Sequence, residues 1–533
     1  MSGWGCGSSS ERLILKLGGC GTVPHPPFLS VRFPSRLLAG CLLTGVLAVT
    51  SATASPSSED LAAKAQQGQE AMAAGRFDDA ASFYTAVVQA LPDEPGMRLN
   101  LGMALSMAGR PREAVPHLQA ALKLQPDLLP ASLFLGMARM ELGQPAQAVE
   151  PLQRFVTAQP DHRDARQMLA DAELSLERYE AAARDYRKLT ELGPQDPKAW
   201  YGLGRSYEGL SRRAFETLQT SAPDSVPLLL LVAQGLVAQE QDKSAFPLYR
   251  EALVKKPGLA EAHEALAQIY ERSGHPDWAA VERGKAKDLP PPDCRAASLE
   301  CDFRAGRYRA VLEAARPLRT AESRYWVSRA AGELAREAFA HLARLPPSPE
   351  ALLVRVDVLR GQRRYSETLE ELRKATSAWP EDRRVRHELA TLHFIAHEYA
   401  AARPLLEDLL KHDPDSAELN LLFGEAWVES KEPSKAVPYL EKAVREDPKL
   451  LRASALLGRA YVEAGQAERA VPHLEAALET DEDGSLHFQL ARAYRETGRA
   501  DQATRTLEAF QELRRANEAR QKSEKEEFAI TPP

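Results

Sequence analysis

AVPHLQAALKLQPD, residues 114–127, returns as AVPYLEKAVREDPK at 436–449 and as AVPHLEAALETDED at 470–483. Near-copies of one stretch, the last two 34 residues apart, point to a structural unit used many times rather than to a single site. Prolines fix the period. Pro92, Pro126, Pro160 and Pro194 follow one another at intervals of 34, as do Pro346, Pro380, Pro414 and Pro448, and Pro257 and Pro291 make a further pair. Between the prolines lie Ala-Gly-Arg at 74–76 and 108–110 and Ala-Gly-Gln at 464–466. Glycine suits the left-handed turn that ends a helix and proline halts the next one, so each period predicts two helices joined by a tight turn.

Residue types recur at fixed offsets within the period. The copy ending at Pro126 has Leu101, Gly102, Leu105, Ala114, Leu118 and Ala121, and the copy ending at Pro448 has Phe423, Gly424, Trp427, Ala436, Leu440 and Ala443. The next has Leu457, Gly458, Tyr461, Ala470, Leu474 and Ala477, and the last has Leu490, Ala491, Tyr494, Ala503, Leu507 and Phe510. Small residues at Gly102 and Ala114 let two antiparallel helices approach closely, while the large ones fill the grooves beside them. Together these positions resemble the tetratricopeptide repeat (TPR) over most of residues 61–515. The resemblance implies an all-α fold, a superhelical solenoid of antiparallel helix pairs, because one pair cannot bury its apolar face without a neighbour.

The pattern breaks in two places. WYGLGRSYEGLSRRAFETL, 200–218, begins like a first helix with Trp200, Leu203, Gly204 and Tyr207, yet its apolar spacing runs on through Leu210, Ala214 and Leu218 with no turn. One long helix is predicted there. A second is predicted over WVSRAAGELAREAFAHL, 326–342, where Arg329, Leu334, Arg336, Ala338, Phe339 and Leu342 echo Arg205, Leu210, Arg212, Ala214, Phe215 and Leu218 at an offset of 124. Both are expected to redirect the superhelix. The expected organisation is a leader at 1–54, an N-terminal array at 55–222, further repeats at 223–293, an atypical helical insert at 294–348, a C-terminal array at 349–515 and a charged capping tail at 516–533.

In the leader, Arg32 and Arg36 precede the apolar run Leu37–Val49, which ends in small residues at Ala52-Thr53-Ala54. That is the layout of a secretory signal peptide, and the run is too short for a bilayer span of about 20 residues. Residues 1–30 do not fit such a signal, so the start is expected near Val31. Leu38-Ala39-Gly40-Cys41 spells a lipobox, but Cys41 precedes most of the apolar run; ordinary cleavage after Ala54 is the favoured reading and lipidation the lesser one. The mature chain is expected to be exported, periplasmic or envelope-associated.

A net charge of −7 gives no electrostatic footprint for nucleic acid. No phosphate loop, dinucleotide fingerprint or nucleophile elbow occurs, and no enzyme activity or cofactor is expected. His387-Glu388 with His393 fails the zincin spacing, which needs histidines four apart. His393 and His397 have that spacing and could share a metal on one helix face, but His393 falls at a core position, so a structural role is expected and no metal site. Cys294 and Cys301 are the two cysteines left after signal removal. An even count in an exported protein favours a bridge, yet seven residues of straight helix span roughly 10 Å, too far to bridge. A bond there requires a loop or a late helix start, and both states remain open.

The resemblance implies a non-catalytic scaffold whose first helices line a concave groove for a protein or peptide partner. The carboxylate clamp of some family members is not carried: Asn100 matches one clamp asparagine, but Ala65, Gln69 and Pro130 stand at other clamp positions. Apart from Met1, all methionines lie between Met72 and Met168. Leu99, Met103, Met107, Leu133, Phe134, Met137 and Met140 are the expected groove residues, since methionine moulds itself to apolar partners; filling of the core is the competing role for the same side chains. The alternative function is a subunit of envelope assembly or secretion, in polysaccharide export, a pilus or an outer-membrane complex.

Overall fold

A computed structural model describes residues 58–527 and 530–533. The expected leader, with its cleavage site and Cys41, lies outside the described residues. Among the described residues the regular structure is helical throughout, and the chain falls into two compact units.

The first unit holds residues 58–223 and 292–346. It opens with four hairpins: α1 (Ser58–Ala73) with α2 (Phe77–Ala90), α3 (Pro95–Met107) with α4 (Pro111–Leu124), α5 (Leu129–Glu141) with α6 (Pro145–Ala158), and α7 (Arg163–Ser175) with α8 (Tyr179–Leu192). The long helix α9 (Pro197–Ser221) follows. In the second unit lie the hairpins α10 (Val226–Ala238) with α11 (Asp242–Lys255) and α12 (Ala260–Arg272) with α13 (Pro276–Asp288). The chain then returns to the first unit as α14 (Ser298–Arg304), α15 (Tyr308–Ala315) and the long α16 (Ala321–Leu342). The second unit resumes with α17 (Pro349–Gly361) and α18 (Tyr365–Ala378), α19 (Arg383–Ile395) and α20 (Tyr399–His412), and α21 (Ala417–Glu429) and α22 (Pro433–Glu446). It ends with α23 (Leu451–Glu463) and α24 (Ala467–Ala477), and α25 (Ser485–Glu496) and α26 (Ala500–Glu527).

A recurrent close contact explains the period. A Cβ added to Gly102 would lie 2.5 Å from Cγ of Leu118, and Gly136 and Leu152, Gly424 and Leu440, and Gly458 and Leu474 repeat the arrangement at 2.5–2.6 Å. Each leucine stands 16 residues after its glycine and is fully buried. The missing side chain on the first helix is therefore the space the second helix fills.

The turns repeat as faithfully. Gly75, Gly109, Gly143 and Glu177 have positive φ at intervals of 34, and so do Arg363, His397, Lys431 and Gly465. In each hairpin the helix ends with the same pair of bonds, as where Gly109 N donates to Ser106 O at 3.0 Å and Arg110 N to Leu105 O at 2.9 Å. The next member of the first series would be Ser211, in the middle of α9, where the helix simply continues.

The consequence appears at Gly204. A Cβ there would meet the ring of Phe339 on α16 at 2.2 Å, so α16 takes the place of the second helix that α9 lacks. The two form the most extensive helix–helix contact among the described residues. They run antiparallel: Trp200 stacks on His341 at 3.8 Å, and Arg324 donates to Ser221 Oγ. Between these ends Ser211 Oγ donates to the carbonyl of Ser328 at 2.8 Å, while Ser328 Oγ donates to that of Ser211 at 3.1 Å. Antiparallel helices whose sequences match in the same chain direction are related by an approximate two-fold, here passing near Gly209 and Gly332, and the 124-residue echo is its sequence trace.

Two outcomes test this packing. Gly136→Val should overpack the Leu152 contact and lower stability by about 1–3 kcal/mol in urea unfolding. Lys431→Gly relieves a side chain held at φ 63° and should raise stability by about 0.5–1 kcal/mol; no gain in thermal midpoint would mean the turn is not left-handed.

Candidate functional site

First helices of successive hairpins touch one another as well as their own second helices, α3 with α5 and α5 with α7. This lateral contact decides what each expected groove residue can do. Leu99 is 1% exposed, and Leu133, Met137 and Met140 are buried with Leu152, Phe155 and Leu169. Those four are core. Met103, Met107 and Phe134 are half-buried at the margin of the cluster built on Leu101, Leu105 and Leu118, and they retain surface along α3 and α5.

In the second unit the same register carries charge. Met103 and Met107 stand one and five residues after Gly102; the equivalents after Gly424 are Glu425 and Glu429, and after Gly458 they are Arg459 and Glu463. These pair from repeat to repeat. Arg452 on α23 reaches Glu425 on α21 at 2.6 Å, and Arg459 bridges Glu429 at 2.6 Å and Glu463 at 2.9 Å. Burial pushes the Glu425 carboxyl above its ordinary range, against the pull of Arg452. The sequence reading passed over this ladder, although the register that singled out the methionines also marks it.

The histidines serve the turn instead of a shared helix face. His393 Nδ1 lies 2.6 Å from Glu398 Oε2, whereas His397 is beyond the end of α19, at φ 59°, with Nδ1 2.7 Å from the Tyr399 hydroxyl. Cys294 and Cys301 form a disulfide with a Cα separation of 5.7 Å. The late helix start makes it feasible, since α14 begins at Ser298 and leaves Cys294 in the preceding loop.

Tetratricopeptide-repeat family models match residues 100–163, 133–197, 167–214 and 387–450, and, for a second model, 71–127 and 428–487. These stretches are tetratricopeptide repeats. Solved structures similar to it include MamA, at 23% identity and TM-score 0.27, over 38% of this chain and 95% of that one. A MamA fragment from Desulfovibrio magneticus RS-1 matches at 19% identity and TM-score 0.27, over 37% and 94% of the two chains. YrrB, described as a TPR protein with an unusual peptide-binding site, matches at 17% and 0.27, over 38% and 90%. No curated protein matches the chain.

One variable position of the TPR array can be read by titration. Three residues after the small residue of the first helix stand Leu105, Arg139, His393, Trp427, Tyr461 and Tyr494, and on α7 Glu173. The residue is 5% exposed, and burial, reinforced by the charge of Asp185, raises the pKa of its carboxyl to about 7. Asp185 itself is paired with Arg166, and Arg184 and Arg178 offset the shift in part. A carboxyl whose folded pKa exceeds its unfolded value binds more protons when folded. Stability then falls as pH rises from about 4.5 toward 7, by about 1–3 kcal/mol for a shift of this size. Glu173→Gln should flatten that slope in unfolding curves taken between pH 4.5 and 7.5; an unchanged slope would place the titration elsewhere.

Proposed function

We propose that this TPR protein is a non-catalytic scaffold that binds a partner segment on the first-helix face of its N-terminal array. The observation that carries the reading is the row of half-buried apolar side chains Met103, Met107 and Phe134, which neighbouring repeats leave uncovered while they bury Leu99, Leu133, Met137 and Met140. Methionine and phenylalanine along such a face suit an apolar segment of variable shape. The charged ladder of the C-terminal array offers no comparable surface, because its groups already pair with each other.

A second reading, that the scaffold works in envelope assembly or secretion, draws on two separate features. The leader has the sequence of an export signal, and the Cys294–Cys301 bridge suits an oxidising compartment. No described helix is long and apolar enough to cross a membrane.

Changing Met103, Met107 and Phe134 together to Ser should abolish recovery of the partner that crosslinks to the unaltered chain in the native envelope, with the melting midpoint nearly unchanged. Undiminished recovery would move the binding surface off α3 and α5. A collapsed melting curve would assign all three side chains to the core.

A further inference from the structure

Within the second unit, one tyrosine has lost the partner that its counterparts keep. Tyr461 and Tyr494, each three residues after the small residue of a first helix, donate their hydroxyls to Glu441 and Glu475, both at the ninth position of the preceding second helix. Tyr270 occupies the same place on α12, and the ninth residue of α11 is Arg250. An arginine accepts no hydrogen bond. The substitution lets Arg250 donate to the Tyr270 oxygen but leaves the Tyr270 O–H, and the rest of the guanidinium, to find acceptors outside the repeat.

The acceptors come from the end of the second unit. Tyr270 Oη donates to the carbonyl of Thr531 at 2.7 Å, and Arg250 Nη1 to the carbonyl of Pro532 at 3.3 Å. Ile530 is half-buried, while Thr531, Pro532 and Pro533 keep their side chains in solvent. Recognition therefore runs through the backbone. A Thr-Pro-Pro segment fits two donors well, because its prolines present carbonyls and have no N–H to leave unsatisfied, and they hold the chain extended. Beneath the contact lies an aromatic platform. Phe246 and Trp278 meet the Tyr270 ring edge-on at 5.6 and 5.5 Å, and His275 stacks on Trp278 at 3.9 Å.

We propose that Arg250 and Tyr270 form a carbonyl-reading site for an extended, proline-containing segment, and that the chain's own residues 530–533 occupy it as an intramolecular strap. With only two hydrogen bonds and one half-buried side chain, the strap is held by proximity more than by contact area. The site is separate from the Met103–Phe134 face and does not depend on that reading.

The test uses the full chain with photoreactive benzoylphenylalanine in place of Ile530, irradiated at low concentration. Crosslinks should map to residues 242–278 in a species of monomer mass. Arg250→Glu restores the Tyr–Glu pair of the other repeats, so it should fold normally and still cut the crosslink yield at least fivefold. Tyr270→Phe, which keeps the ring packing, should also reduce it. Crosslinks scattered over other helices, or a yield indifferent to both substitutions, would overturn the site. A product of dimer mass would overturn the intramolecular strap and give the place to a second copy of the chain.

Discussion

A leucine laid over a glycine is the contact on which the rest of the architecture depends. Leu118 over Gly102 and its three equivalents set how closely two helices of a hairpin approach, and so where every other side chain of the repeat ends up. Alanines such as Ala114, Ala436 and Ala470 are fully buried at the same crossings. With the helices this close, the next hairpin must supply the remaining cover, since apolar burial at the crossing leaves one flank of each pair open. The buried tyrosines and leucines at the repeat boundaries are that cover.

The same geometry shows what the sequence made legible. Period, turns and long helices could be read from residue types because each rests on a local cause: a missing Cβ, a proline, a positive φ. The left-handed turns filled by Glu177, Arg363, His397 and Lys431 were legible from register alone, their residue types giving no hint. Which first-helix side chains keep surface was harder to read. Groove and core positions on a first helix lie a residue apart, and whether Met137 or Met103 keeps surface depends on lateral contact with the next first helix, which no single repeat encodes. The bridge between Cys294 and Cys301 turned on where α14 begins, and the Arg250–Tyr270 site on a partner far along the chain.

Units built from near-identical hairpins can still present different chemistry, because the scaffold constrains only the inner half of each helix. Offsets that carry Met103 and Met107 in one array carry Arg459 and Glu463 in the other. Ion pairs such as Arg452 with Glu425 link adjacent repeats, and half-exposed pairs of this kind contribute little to stability, on the order of 1 kcal/mol or less each. Their effect is on the character of the surface, since a face whose charges are mutually satisfied offers little to an apolar segment, whereas Met103, Met107 and Phe134 keep apolar surface.

The pairing of α9 with α16 imposes an order of events on a growing chain. Among the described residues most other extensive helix–helix contacts join helices adjacent in sequence or one hairpin apart, which form quickly and can propagate along a repeat array. Gly204, by contrast, waits for Phe339, and Ser211 for Ser328. Until α16 leaves the ribosome, α9 exposes the apolar edge that its own turnless sequence cannot cover, while the helices of residues 226–288 are made in between. Closing so long a loop costs only slightly more entropy than closing a shorter one, so the delay is set by synthesis. Between the emergence of residue 221 and that of residue 342 the nascent chain thus carries an apolar edge whose cover does not yet exist, the condition that favours misassembly.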